Sequence, residues 1–273
     1  MKSTWEQFAQ ALINRLIIGR FGGVPTRVAR QRKATLARPF PDAWTGILRR
    51  RCRHYRRLPA LVRQRFEQHV QIFLSEKRIT GVDVELTDET RLLVAASAAS
   101  LTAGWPDYTW DQLSEVIVYP QNFDRDYSFD RPHVAGLAHQ WGVVILSLPA
   151  LNRSFGESAD GSHVGFHEFA HLLDLAGTRF DGIPSYLNDD SIRQWVRLLD
   201  VEAGRLERDD SILDPYALSG PIELFAVAVE AFYETPIPLA DHHPELYAFL
   251  ASYFSQDPAA WSRDTSLIGR CGE

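Results

Sequence analysis

Cysteine is scarce in this sequence of 273 residues: Cys52 and Cys271 stand alone, 219 positions apart. That spacing excludes a disulfide framework and a metal knuckle, and it suits a reducing compartment. No apolar run reaches the roughly 18 residues needed to cross a bilayer. The opening Met1-Lys2-Ser3-Thr4-Trp5-Glu6 lacks the charged, apolar and cleavable parts of a secretory leader, so a cytoplasmic location is expected. There is no internal repeat and no low-complexity tract. Acid is missing from the front of the chain: residues 1 to 66 hold only Glu6 and Asp42 against 16 of the 29 Lys and Arg. Their net charge is +14, and the rest carries −20. Such a basic arm fits nucleic acid, anionic lipid or an acidic protein, or else a solvated helical lobe that pairs with the acidic body. No nucleic-acid motif and no interleaving of aromatic with basic residues accompanies it, so a nucleic-acid partner is not expected.

What is present is a folded globular composition, 45% hydrophobic and long enough to bury a full core. Trp5, Phe8, Leu12, Ile13, Leu16 and Ile17 recur at helical intervals over residues 5 to 21. Gly22, Gly23, Pro25, Pro39 and Pro41 mark 22 to 41 as a linker. Helices are expected at 44–53 and 59–76, and a buried one from Thr87 that closes near Gly104 and Pro106. Val116-Ile117-Val118-Tyr119 and 141–148 read as strands, with a polar hairpin or loop carrying Asp124, Asp126, Asp130 and Arg131 between them. Helices follow near 162–176, 190–206, 221–233 and 243–254. The expected class is α+β, mainly helical with a small sheet. A basic arm (1–40), a main domain with a helical N-terminal lobe (41–265) and a tail (266–273) divide the chain.

The chemistry lies in His167-Glu168-Phe169-Ala170-His171, an HExxH motif. Positions i and i+4 share one face of a helix, so both imidazoles can approach one ion at about 2 Å. Glu168, one residue round, is placed to take a proton from an activated water and pass it to a leaving amine. Ser162 or Asp160 can cap the helix and Gly177 can end it. A zinc ion needs a third protein ligand. His163 shares the face, but it lies eight residues from His171, about 12 Å along the axis, which is too far for all three to close on one ion. Asp174 is placed to accept a hydrogen bond from a ligand imidazole.

Glu223 is the stronger candidate, an acid among Leu224, Phe225 and Val227 just inside a helix that Pro221 can start. The competing reading is a favourable charge at a helix N-terminus. Glu230, seven residues on, reads either as a hydrogen-bond partner of a ligand histidine or as an ordinary ion-pairing acid. Tyr216 reads as an oxyanion-stabilising phenol or as a packed loop tyrosine. The strand at 143–148 reads as an edge that adds an extended peptide, or as a core strand.

Several pieces together resemble the zinc peptidases related to Mlc titration factor A, within the gluzincin metallopeptidases. They are Tyr55 to Pro59, Phe73 to Arg78, Val116 to Pro120, His167 to Asp174, Asp181-Gly182-Ile183-Pro184, and Tyr216 with Pro221 to Val227. The likeness runs from about residue 45 to 260. It implies His167, His171 and Glu223 as ligands of one Zn2+ per chain, Glu168 as the catalytic base and a role for Tyr216. It further implies a compact zincin-like metallopeptidase domain similar to the catalytic core of anthrax lethal factor. The implied activity is aminopeptidase-like hydrolysis of a peptide or protein substrate by a zinc-activated water. The alternative implied by the founding member is a protein that sequesters a transcriptional regulator, with a structural or vestigial metal site.

Overall fold

A computed structural model describes residues 26–124, 134–139, 141–156, 160–176 and 181–264. The amphipathic stretch 5–21, Asp126, Asp130, Arg131, Gly177 and the tail 266–273 lie outside them. The chain divides into two units, Met1–Pro39 and Phe40–Glu273. In the first, helix α1 spans Thr26–Leu36, which corrects the linker reading of 22 to 41. Pro39 and Pro41 stand beyond the end of the helix. Within it Arg, Lys, Gln, Ala and Leu dominate, and these residues lose little freedom on becoming helical.

The second unit opens with α2 (Asp42–Arg51), α3 (Arg53–Arg57) and α4 (Ala60–Glu76), the expected helical N-terminal part. Helix α5 (Asp88–Thr102) is capped by Thr87, whose Oγ1 accepts from the Thr90 N–H at 3.1 Å. Its residues from Leu92 to Thr102 are all buried, which explains a run too apolar to show one face. It packs against both α4 and the helix that carries the HExxH motif.

Four strands form one mixed sheet: β1 (Arg78–Gly81), β2 (Glu115–Tyr119), β3 (Gly136–His139) and β4 (Val143–Ser147), in the order β1-β2-β4-β3. The first three in that order run parallel, and β3 returns antiparallel to β4 with Gly136 opposite Leu146 and His139 opposite Val143. Strand β4 therefore has a neighbour on both sides. The core reading of 143–148 holds, and the peptide-adding edge expected there is already paired. Among the described residues the free edge near the HExxH helix belongs to β3. The Ser147 N–H donates to the Ala135 carbonyl at 2.8 Å. By the alternation of antiparallel pairing, Ala135, Leu137 and His139 turn their main-chain groups to β4, and Gly136 and Ala138 turn theirs outward.

The remaining helices are α6 (Leu148–Ser154), α7 (Val164–Leu175), α8 (Asp189–Glu207), α9 (Pro221–Glu234), α10 (Pro236–His242), α11 (Pro244–Phe254) and α12 (Pro258–Arg263), with a 3-10 turn at Pro215–Ser219. Helix α7 lies against α5, β3 and α9. That contact brings the HExxH residues to the first turns of α9.

Candidate metal centre

Helix α7 starts at a histidine. His163 Nδ1 accepts from the Phe166 N–H at 3.1 Å, so the cap is His163 and not Ser162 or Asp160. Asp160 Oδ1 instead accepts from the Ser162 N–H at 3.0 Å in the approach to the helix. The His163 ring is buried and stacked on Phe166, and burial pushes its pKa down to about 3. Among the described residues it is not one of the donors that converge on one point. Its backbone N–H donates to the carboxylate of Glu230 on α9.

One turn on, His167 and His171 face each other edge to face, with centroids 4.7 Å apart. His167 Nδ1 is 2.7 Å from Glu230 Oε1, and its Nε2 is 3.0 Å from Glu223 Oε2. His171 Nε2 lies 3.5 Å from the same Glu223 oxygen. One potential ligand atom from each of His167, His171 and Glu223 lies within 4.8 Å of the other two. Tetrahedral ligands at about 2.1 Å from a shared ion stand roughly 3.4 Å apart, so this donor set fits a metal ion. Glu168 is buried beside them at 4% exposure.

The electrostatics ask for a cation. Burial alone would lower His167, but its hydrogen bonds to Glu223 and Glu230 overcome that and hold it well above the ordinary imidazole value. Burial would likewise raise Glu223, yet hydrogen bonds from His167 and His171 bring it down to about 2. Glu168 is raised, chiefly by burial, which the two imidazoles only partly offset. Three carboxylates thus crowd two imidazoles in a largely buried site, an arrangement whose negative charge a cation would offset.

Tyr216 sits on the 3-10 turn just before α9. Asp214 Oδ1 holds that turn by accepting from the Tyr216 N–H at 2.8 Å. Tyr216 is 53% exposed as a residue, and its ring centroid lies 6.1 Å from that of His167. The fold therefore gathers all five expected site residues at one place.

Residues 26–255 match the family described as glucose-regulated metallo-peptidase M90. The chain belongs to this family. An uncharacterized protein of Synechocystis sp. is 30% identical over 258 residues, which cover 89% of this chain and 94% of the relative. Mlc titration factor A of Edwardsiella ictaluri is 31% identical over 221 residues, 74% of this chain and 80% of that protein. Mlc titration factor A of Yersinia enterocolitica is 30% identical over 234 residues, with 75% and 84% covered. The M90 match begins at Thr26, earlier than the short motifs from residue 45 onward, and so takes in α1.

Two features of this M90 chain depart from the sequence reading. Asp174 makes no hydrogen bond to an imidazole: its Oδ2 accepts from the Gly182 N–H at 2.9 Å, and Oδ1 has no partner among the described residues. Its carboxylate is drawn into the turn at 181–185, while Glu230, the other acid read as a partner of a ligand histidine, lies 2.7 Å from His167 Nδ1. The other feature is Gly136. A Cβ there would come within 2.5 Å of Glu168 Oε1 and 2.7 Å of its Cγ, so only glycine lets β3 pass this close to the acid. A glycine inside a short strand is the signal that marks such an approach, and strand β3 itself went unread.

Proposed function

We propose that this chain is a zinc-dependent, aminopeptidase-like peptidase of the cytoplasm, with His167, His171 and Glu223 as ligands of one ion. The observation that carries the reading is the convergence of those three donors with a buried Glu168 beside them and Glu230 on the far nitrogen of His167. Two imidazoles and one carboxylate suit zinc, and three protein ligands leave a position for water or substrate. When bound, zinc polarises water and the scissile carbonyl.

The protein's own groups do the rest. Gly136 and Ala138, with their outward main-chain groups, hold an extended peptide by strand addition, and Gly136 brings it beside Glu168. Glu168 takes a proton from the attacking water as the C–O bond forms, then delivers it to the amine as the C–N bond breaks. Its raised pKa suits both steps. Glu230 fixes the ring of His167, directs Nε2 towards Glu223 and stabilises positive charge on the ring. The Tyr216 hydroxyl assists the oxyanion from the mouth of the site.

A peptide library incubated with the zinc-loaded protein tests the reading. Hydrolysis is expected, and Glu168→Gln should lose it by about 100-fold or more while keeping its zinc. Undiminished turnover in that variant would remove Glu168 as the base. A second reading rests on the relatives named Mlc titration factor A: the chain binds a transcriptional regulator and sequesters it. A zinc-loaded wild type that cleaves nothing in the library favours that reading.

A further inference from the structure

Trp141, just before β4, is at 75% exposure the most exposed large apolar side chain among the described residues. Gly142 beside it is held by two backbone hydrogen bonds. The Gly142 N–H donates to the His139 carbonyl at 2.8 Å, and the Ser114 N–H donates to the Gly142 carbonyl at 2.7 Å. Gly142 has φ +77°, and a Cβ there would lie 2.0 Å from the Gln112 carbonyl oxygen. The Trp141 ring stacks on that of His139, with centroids 4.5 Å apart and planes 29° apart. Trp141 is thus presented to solvent with the half-buried His139 ring stacked behind it, the kind of aromatic contact surface that binding sites favour.

The position of the pair along β3 gives it a use. Gly136 is where β3 touches Glu168, and His139 lies three residues on, about 10 Å at roughly 3.3 Å per residue. A peptide added to the free edge would have one residue opposite Gly136 and, three residues further, another opposite His139. Side chains alternate between faces of a sheet, and cross-strand neighbours share a face. The position of Gly136 faces Glu168 and Val164 of α7. His139, at an odd offset, therefore faces away from α7, and so does the peptide side chain opposite it.

We propose that His139 and Trp141 form a specificity subsite for an aromatic or large apolar side chain, three residues along the bound peptide from the residue beside Glu168. This rests on the peptidase reading and on strand addition at β3. The test uses the zinc-loaded full chain and peptide pairs that differ only in Phe or Gly at the third residue after the cleaved bond. Wild type should prefer Phe by about tenfold in kcat/KM. The preference should fall to near unity in Trp141→Ala and return in Trp141→Phe. No preference in wild type, or one of equal size in Trp141→Ala, overturns the subsite. The same pairs titrated against Glu168→Gln, with and without Trp141→Ala, give the preference as a ratio of Kd values. A Kd preference that depends on Trp141 without any turnover upholds the subsite and sinks the peptidase reading alone. Equal Kd values for both members of each pair sink the subsite.

Discussion

Two largely buried histidine–glutamate pairs in this molecule have nearly the same short contact and opposite surroundings. His167 meets Glu230 across α7 and α9 at 2.7 Å, and His243, between α10 and α11, meets Glu202 of α8 at 2.6 Å. In the second pair the other ring nitrogen is already used: His243 Nε2 accepts from the Ile212 N–H at 3.3 Å, with Ser211 Oγ at 3.4 Å. One imidazole, one acid and one backbone N–H close that centre and pin the loop leading to Asp214 and Tyr216. In the first pair the other nitrogen of His167 points at a further carboxylate, Glu223, which His171 also approaches, with Glu168 alongside. The difference teaches that a His–Glu pair is a fastener when its second nitrogen is satisfied by the backbone. It becomes a ligand site when that nitrogen converges with other donors on one point.

The contrast is sharpened most by breaking the closed pair. Glu202→Ala leaves a buried imidazole without its acid and should cost about 3–5 kcal/mol of unfolding free energy. Zinc affinity should stay within about twofold of wild type, since the loop it pins holds no expected ligand. Denaturant unfolding and a competitive zinc titration on one preparation read both, and a parallel fall in affinity would erase the distinction. At the open pair the pattern reverses: Glu230→Gln should weaken zinc binding by about 10- to 100-fold, and an unchanged dissociation constant would make Glu230 an ordinary ion-pairing acid.

The smallest effect concerns Asp174, the acid on α7 that serves neither pair. Burial raises its carboxyl to about 6 from the usual 3.8, against the lowering by the Gly182 N–H. Between those values the folded state binds more protons than the unfolded one. The ionised acid therefore costs stability in full above pH 6, and the cost declines as pH falls from 6 and is gone only below the unfolded value of 3.8. Asp174→Asn should accordingly be more stable than wild type by about 1–3 kcal/mol at pH 8, with the gap narrowing through pH 5 and closing below about pH 4. Equal unfolding midpoints at both pH values would contradict this.

Much of this was legible from residue order, for identifiable reasons. The i, i+4 histidines and the acid at Glu223 announce themselves, because helical spacing and an acid in an apolar run are local signals. Strands β2 and β4 are rich in β-branched residues and were found to within two residues at either end. Strand β3, Gly-Leu-Ala-His, has neither alternation nor β-branching, and β1 buries only Ile79 among its four residues, so pairing with neighbours and not propensity makes them strands. The Glu202–His243 pair spans 41 residues with no spacing rule to join its members. Only tertiary packing reveals it, as it also reveals that the cap of α7 is His163.

The central claim is that His167, His171 and Glu223 together hold one metal ion, and metal content tests it most directly. Elemental analysis of the purified protein after zinc loading and desalting should give one zinc per chain for wild type and for Glu168→Gln. Glu223→Ala should retain well below half of that. Full stoichiometry in Glu223→Ala, or no zinc in wild type, would contradict the account.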